Sequence, residues 1–250
     1  MASDSRNVPR LLKRFADRHA DVAVERRELP PTQQIAALRA GEIDVGFLGV
    51  PAEARQRAAG GAARGDAQLA FVPVMRTAWA VALPAAHPLA RPPLVSASTA
   101  SDATPRAAAD RGRPAIPVAA YAAEPLVLFP RNMNPGLYDW TLDCVQRAGA
   151  AAPRVVQEPA QLHTALGLVA AGVGVMPTPF HLADQRRPGV AVRPTSGFGP
   201  GARICAVYRR DHQTAVLTAF LEAVRDTARE LRPDHNGSGQ RRPEVQTGRS

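Results

Sequence analysis

Lysine, cysteine and long apolar runs are what this chain has least of. Lys13 is the single lysine among 31 basic residues, so arginine carries nearly all the positive charge. The formal net charge is +9, but the arginines are scattered and several fall within 225–250. No basic helix and no aromatic-plus-basic stacking platform accompanies them, so the charge reads as solvated surface rather than as a nucleic-acid face. Cys144 and Cys205 have no CxxC and no Cys/His ligand spacing, which argues against a disulfide framework and a zinc site. Both sit in apolar surroundings that read as core, and two lone thiols suit a reducing compartment. The N-terminus MASDSRNVPRLLKRF lacks the apolar stretch of a secretion signal. The longest apolar run, LGLVAAGVGVMP, is too short and glycine-rich to span a bilayer. These absences lead us to expect a soluble, cytoplasmic protein with no membrane partner.

Catalytic signatures are missing as well. There is no GxSxG, no HExxH, no P-loop and no adjacent acid pair with a base beside it. Gly172 and Gly174 form a GxG without the further glycine or preceding strand of a nucleotide site, and read as a tight helix-to-strand turn. His163 reads as an ordinary helix-surface histidine. No metal or cofactor is expected, and the chain is not read as an enzyme.

What is present is an alternation of helices and strands. Val8, Leu11, Leu12 and Phe15 repeat at helical spacing, with Pro9 in the first turn where its missing N–H costs nothing. DVAVERREL alternates as a strand from Val22. Thr32 to Ala40 is helical, ended by Gly41, and IDVGFLGV reads as a strand buried on both faces. So the chain opens with a helix that no strand precedes, although parallel sheets are built from strand–helix–strand crossovers. The expectation is a chain that starts inside a domain, rather than a sheet that merely begins with a helix.

Residues 51–70 read as an exposed loop or weak helix, 78–84 as a strand, and 91–122 as a long flexible insertion rich in Pro, Ala, Ser and Arg. Then come strand 126–129, a helix from about 136 to Ala148, strand 154–157, helix 160–171, and the strand VGVM ending at Pro177. Strands near 190–193 and at 204–208 precede an amphipathic helix from Thr214 to Arg229, whose face carries Val216, Leu217, Phe220, Leu221 and Val224. Residues 232–250 read as a disordered tail. Two α/β blocks joined by strands near 78–84 and 204–208 imply two lobes, the last helix returning to the first. Ligands of such folds sit in the cleft where strand ends face helix starts.

Three stretches face that cleft. In LVLFPRNMNPGLYDW (126–140), Asn134-Pro135 reads as a helix cap followed by Pro at the first helical position. The free N–H groups of that turn suit a carboxylate, to which Arg131 adds a bidentate contact; the alternative is a capped helix beside a solvated arginine. In VVQEPAQLHTALGLVAAGVGVMP (155–177), Gln161 and Thr164 carry polar atoms at a second helix start. In ELPPTQQIAALRAGEIDVGF (28–47), Thr32 either caps its helix or meets a ligand.

Taken together and in this order, VPRLLKRFADRHADVAVERREL, IAALRAGEIDVGFLGVP, VALPAAHPLA, EPLVLFPRNMNPGLYDWTLDCVQRAGAAAPRVVQE and LVAAGVGVMP resemble the effector-binding domain of LysR-type transcriptional regulators. FPRNMNPGLYD is similar to the branch that governs aromatic-compound catabolism. The likeness spans about residues 8–229, apart from 51–70 and 91–122. It implies an α/β fold of two Rossmann-like lobes of the type 2 periplasmic-binding-protein kind, hinged by two crossover strands, with the first strand of lobe I missing. Lobe I would comprise 8–83 and 207–231, and lobe II 84–206. The resemblance implies a small organic acid between the lobes, with Thr32, Gly49, Pro130, Arg131, Asn132, Asn134 and Gln161 as effector-binding candidates. Family members often carry Ser or Thr where Pro31 stands here, with Thr32 one position later. The resemblance also implies a homo-oligomer pairing through surface helices such as 8–18 and 137–148. DNA would be reached only through a helix-turn-helix domain that this chain lacks. A free-standing cytoplasmic carrier of a small acid is the rival reading, and an enzyme that recruited the same fold a third.

Overall fold

The computed structural model describes residues 7–51, 67–91, 114–179, 187–199 and 201–231. Most of the expected flexible insertion (92–113) and the expected tail (232–250) lie outside these residues. The elements of lobe I are helices α1 (Asn7–Arg18) and α2 (Pro31–Ala40), strands β1 (Gly46–Pro51), β2 (Leu69–Thr77) and β9 (Ala202–Arg209), and the last helix α5 (Ala215–Glu230). Lobe II holds strands β3 (Trp79–Pro84), β4 (Ile116–Pro117), β5 (Leu126–Val127), β6 (Val155–Gln157), β7 (Met176–Pro179) and β8 (Val190–Ser196), with helices α3 (Pro135–Arg147) and α4 (Leu162–Ala170). The two-lobed α/β architecture expected from the sequence is present.

Lobe I is built on the sheet β1-β9-β2, antiparallel throughout. Alternation along its strands sends side chains to two faces. Phe47, Val74 and Ala206 meet Leu11 and Phe15 of α1 and Phe220 and Val224 of α5. Leu48, Cys205 and Val207 face Leu38 of α2 on the other side. Gly41 ends α2 at φ 72°, a left-handed cap open to glycine.

Lobe II has the sheet β4-β8-β3-β7. A parallel bridge from Leu126 to Val175 continues it through β5 to β6. Cys144 and Val145 of α3 pack on Leu126, Leu128 and Val81 on one face. Leu162, Ala165, Leu166 and Val169 of α4 pack on Val127, Ala82 and Met176 on the other.

Two chain passages join the lobes. The first runs from β2 through Ala78 into β3, and the second from β8 through 197–201 into β9. The strands therefore change sheets at Ala78 and at 197–201, whereas the sequence reading put the lobe boundary at 83/84 and 206/207. An apolar run reveals that a strand is buried but not which sheet it joins. Trp79 and Phe198, one from each passage, stack with ring centroids 5.2 Å apart, and Trp140 of α3 lies 4.9 Å from Trp79.

Three further expectations change. Residues 114–122, read as the end of the flexible insertion, belong to the core: Ile116, Val118 and Ala122 are buried, and Tyr121 is 1% exposed. The Tyr121 hydroxyl pairs with Thr195 Oγ1 at 2.8 Å, and burial pushes its pKa up. β2 was not foreseen, because Pro73 and a register shift near Val74 interrupt its pattern. Residues 22–29, read as a strand, form no ladder in the structure.

Candidate functional site

A cavity of about 80 Å³ opens between the lobes. Lobe I contributes Pro31 at the start of α2 and Gly49 of β1. Lobe II contributes Leu128, Phe129 and Pro130 after β5, then Met133, Asn134, Leu137, Tyr138 and Thr141 around the start of α3. Trp79 and the β7 residues 176–179 complete the lining. The walls are mostly apolar, and no charged side chain is among them. An apolar cavity of ~150 Å³ holds benzene, so a ring-sized guest requires these walls to part.

The sequence candidates divide into three groups. Gly49, Pro130 and Asn134 are brought together on the cavity wall. Asn134 is also the cap of α3, its Oδ1 accepting from Leu137 N at 3.1 Å. Thr32 and Asn132 form a latch across the lobes, with Thr32 Oγ1 donating to the Asn132 carbonyl at 3.0 Å. Thr32 thus neither caps α2 nor lines the cavity: Pro30 holds the cap position, and the first turn of α2 has no side-chain cap. Arg131 and Gln161 stand outside the lining. The Arg131 guanidinium grips Asp139 with both Nε and Nη2, each at 2.7 Å. That hydrogen bond holds the Asp139 carboxyl below its ordinary pKa. Gln161 precedes α4 with an exposed side chain that makes no cap bond.

Sequence reasoning missed the two most informative atoms. Trp79 Nε1 and Thr178 Oγ1 are buried without a hydrogen-bond partner, and both residues line the cavity. Trp79 is 3% exposed and Thr178 1%. Each such atom costs ~1–3 kcal/mol when left unpaired. A tryptophan and a threonine inside the apolar strands AWAVALP and VGVMPTP look like core, and only the question of where their N–H and O–H find acceptors singles them out. Tyr138 is the third addition. Its hydroxyl donates to Glu158 Oε1, and burial, with that bond second, pushes its pKa up to about 12. It therefore stays a neutral donor at physiological pH.

Among the described residues no lysine or arginine lines this cavity to meet negative charge, but two helices begin at its rim. α2 starts at Pro31 and α3 at Pro135, and their first-turn N–H groups and dipoles favour an anion. Among the described residues no cluster of His, Cys, Asp and Glu suits a metal ion, and no helix is long and apolar enough to cross a membrane.

Comparison with known proteins bears on this site. The family described as LysR substrate binding domain matches residues 2–104 and 99–229. The probable cat1 operon transcriptional activator of Acinetobacter lwoffii is 26% identical over 219 residues, 88% of this chain and 61% of that protein. The HTH-type transcriptional regulator IlvR of Caulobacter vibrioides is 30% identical over 87% of this chain and 62% of its own length. The chain thus spans about three-fifths of the length of these relatives. Among solved structures, the effector-binding domain of BenM with its effector benzoate superimposes with a TM-score of 0.66 at 18% identity, covering 89% of this chain and 86% of that one. CbnR, a LysR family transcriptional regulator, gives 0.62 at 22% identity, over 89% of this chain and 65% of that one. At these identities the structures speak for the fold alone.

Proposed function

The chain belongs to the LysR substrate-binding domain family, and from that premise we propose that it senses a small carboxylic acid held in the cavity between its lobes. The observation that carries this reading is the pair of unpaired buried donors, Trp79 Nε1 and Thr178 Oγ1, in a mostly apolar cavity. An effector with an apolar body and an oxygen-bearing head matches that lining. Its head accepts from the two donors, and its charge faces the starts of α2 and α3. Gly49, Pro130 and Asn134 form the wall, and Thr32 with Asn132 forms a latch that sets the gap between lobes. Arg131 reaches an effector only by exchanging Asp139 for it, and Gln161 stands at the start of α4, outside the lining.

The output is a population shift. A ligand biases two lobe arrangements only by its differential affinity for them, and here the guest requires a wider gap than this cavity offers. The chain performs no chemistry. We place DNA contact in a region outside these residues and propose pairing between copies through surface helices such as α1 and α3, in the cytoplasm. The carrier reading shares the same cavity. It differs in that ligand binding would leave the association state and the α1 and α3 surfaces unchanged.

The test is a thermal-shift and calorimetric titration with small carboxylates, beginning with benzoate, on the native chain and on Thr178→Val. The valine is nearly isosteric and removes the unpaired hydroxyl, so the unliganded variant should melt no lower than the parent. Its affinity for the acid should fall about tenfold, equivalent to ~1.4 kcal/mol. Equal affinities, or no binding by any acid of the panel, would overturn the reading.

A further inference from the structure

Both tryptophans of the chain meet where the lobes join. Trp79 opens β3 directly after the first passage, and Phe198 lies in the second, between β8 and β9. Their rings stack with planes 24° from parallel. Trp140 of α3 stands 4.9 Å from Trp79 and 5.4 Å from Phe198, centroid to centroid. The three rings are mutual neighbours, so one cannot turn without displacing the other two. Trp79 and Phe198 are buried, and Trp140 is half-buried.

The backbone of β3 does not by itself fix where the Trp79 N–H points. The Cβ–Cγ torsion of tryptophan is broad, and turning it carries Nε1 to a different place around the ring. No hydrogen bond holds Trp79 Nε1 either. A donor is strong only when its N–H points nearly straight at the acceptor, so a loosely held indole would be a poor one. Packing has to supply the orientation, and Phe198 and Trp140 are the rings that touch it. Phe198 is held by its ring more than by its backbone, because Gly197 and Gly199 flank it at φ 98° and 68°. Trp140 is held by a helix whose Leu137, Tyr138 and Thr141 line the cavity.

We propose that Trp140 and Phe198 are positioning residues for effector binding, clamping the Trp79 indole so that its Nε1 meets the acceptor oxygen of a guest in the cavity. Neither touches the guest, since neither is among the lining residues, whereas Trp79 is. The proposal rests on the reading of the cavity as a site for a small acid. It adds that the donor strength of Trp79 is set by two rings outside the site, one from the second passage and one from α3.

The test is a double-mutant cycle read by calorimetry with benzoate, or with the tightest-binding carboxylate of the panel above. Trp79→Phe keeps a ring and removes the N–H, and should weaken binding about fivefold, the worth of one neutral hydrogen bond. Trp140→Leu and Phe198→Leu keep the N–H and remove part of its clamp, and each should weaken binding about threefold. On the Trp79→Phe background neither should cost further affinity, because the bond they serve is gone; a merely structural role gives losses that add. Trp140→Phe retains a ring and should retain the affinity of the parent. Phe198→Leu leaves both indoles in place, yet should change their near-ultraviolet circular dichroism, because the two rings then stand differently. Losses that add, unchanged affinity in Trp79→Phe or in both leucine variants, or unchanged dichroism in Phe198→Leu would overturn the proposal. No binding by the parent chain would overturn the acid-sensing reading and this proposal with it, whereas binding by the parent with additive losses sinks the proposal alone.

Discussion

Methionine in place of Arg193 is expected to remove about 3–5 kcal/mol of folding stability, on the order of three hydrogen bonds donated by a charged group. Arg193 sits on β8 and is 1% exposed, although arginine is almost never fully buried unless paired. Its Nη1 donates to the carbonyls of Leu89 and Arg91, and its Nη2 to that of Pro114, each at 3.1 Å. Those carbonyls flank residues 92–113, so one guanidinium ties both ends of that segment to the sheet. Methionine matches the stem in volume but leaves three part-buried carbonyls without this charged donor. Lysine keeps the charge without the planar fork and should fall between. Urea denaturation of the three proteins measures this directly. A loss below about 1 kcal/mol for Arg193→Met would show that water replaces the guanidinium and that these bonds are not structural.

Alanine at position 201 should be nearly as costly, for a different reason. Gly201 holds φ +99°, and a Cβ there would lie 2.4 Å from the Thr77 carbonyl oxygen. The two passages between lobes meet backbone to backbone at that point, so neither can yield without moving the hinge. Positive-φ strain and the clash together should cost about 3 kcal/mol. For a protein of this size that is a fall in Tm of about 6–12 °C. Gly149 provides the control, since it holds φ +116° and a Cβ there would meet nothing within 4 Å. Gly149→Ala should therefore show the backbone strain alone. If both variants lose the same stability, the contact between passages plays no part. If Gly201→Ala loses more and also changes acid affinity, lobe geometry and ligand binding are linked through this hinge.

The helices were legible because each signals its own ends. Pro9 and the Val8, Leu11, Phe15 spacing announce α1, Gly41 closes α2, Asn134-Pro135 opens α3, and Thr214 caps α5 with its Oγ1 accepting from Leu217 N at 3.1 Å. Half-legible were the site residues. The cap at Asn134 and the turn at Pro130 lie on the cavity, while Arg131, read either as an anion contact or as a solvated arginine, pairs with Asp139.

Local order is what the sequence by itself determined: helix spans, turn glycines, alternating α/β order and hence two lobes. These depend on residues a few positions apart, whose spacing and backbone preferences act before any long-range contact forms. The tertiary structure decided what depends on partners distant in the chain. It left 22–29 without a ladder, put Tyr121 into the core, and buried Arg193 against carbonyls from two separate segments. It also left Trp79 and Thr178 as unpaired donors in the cavity. A strand needs a neighbour and a buried polar atom needs a partner, and neither is a property of the stretch that carries it.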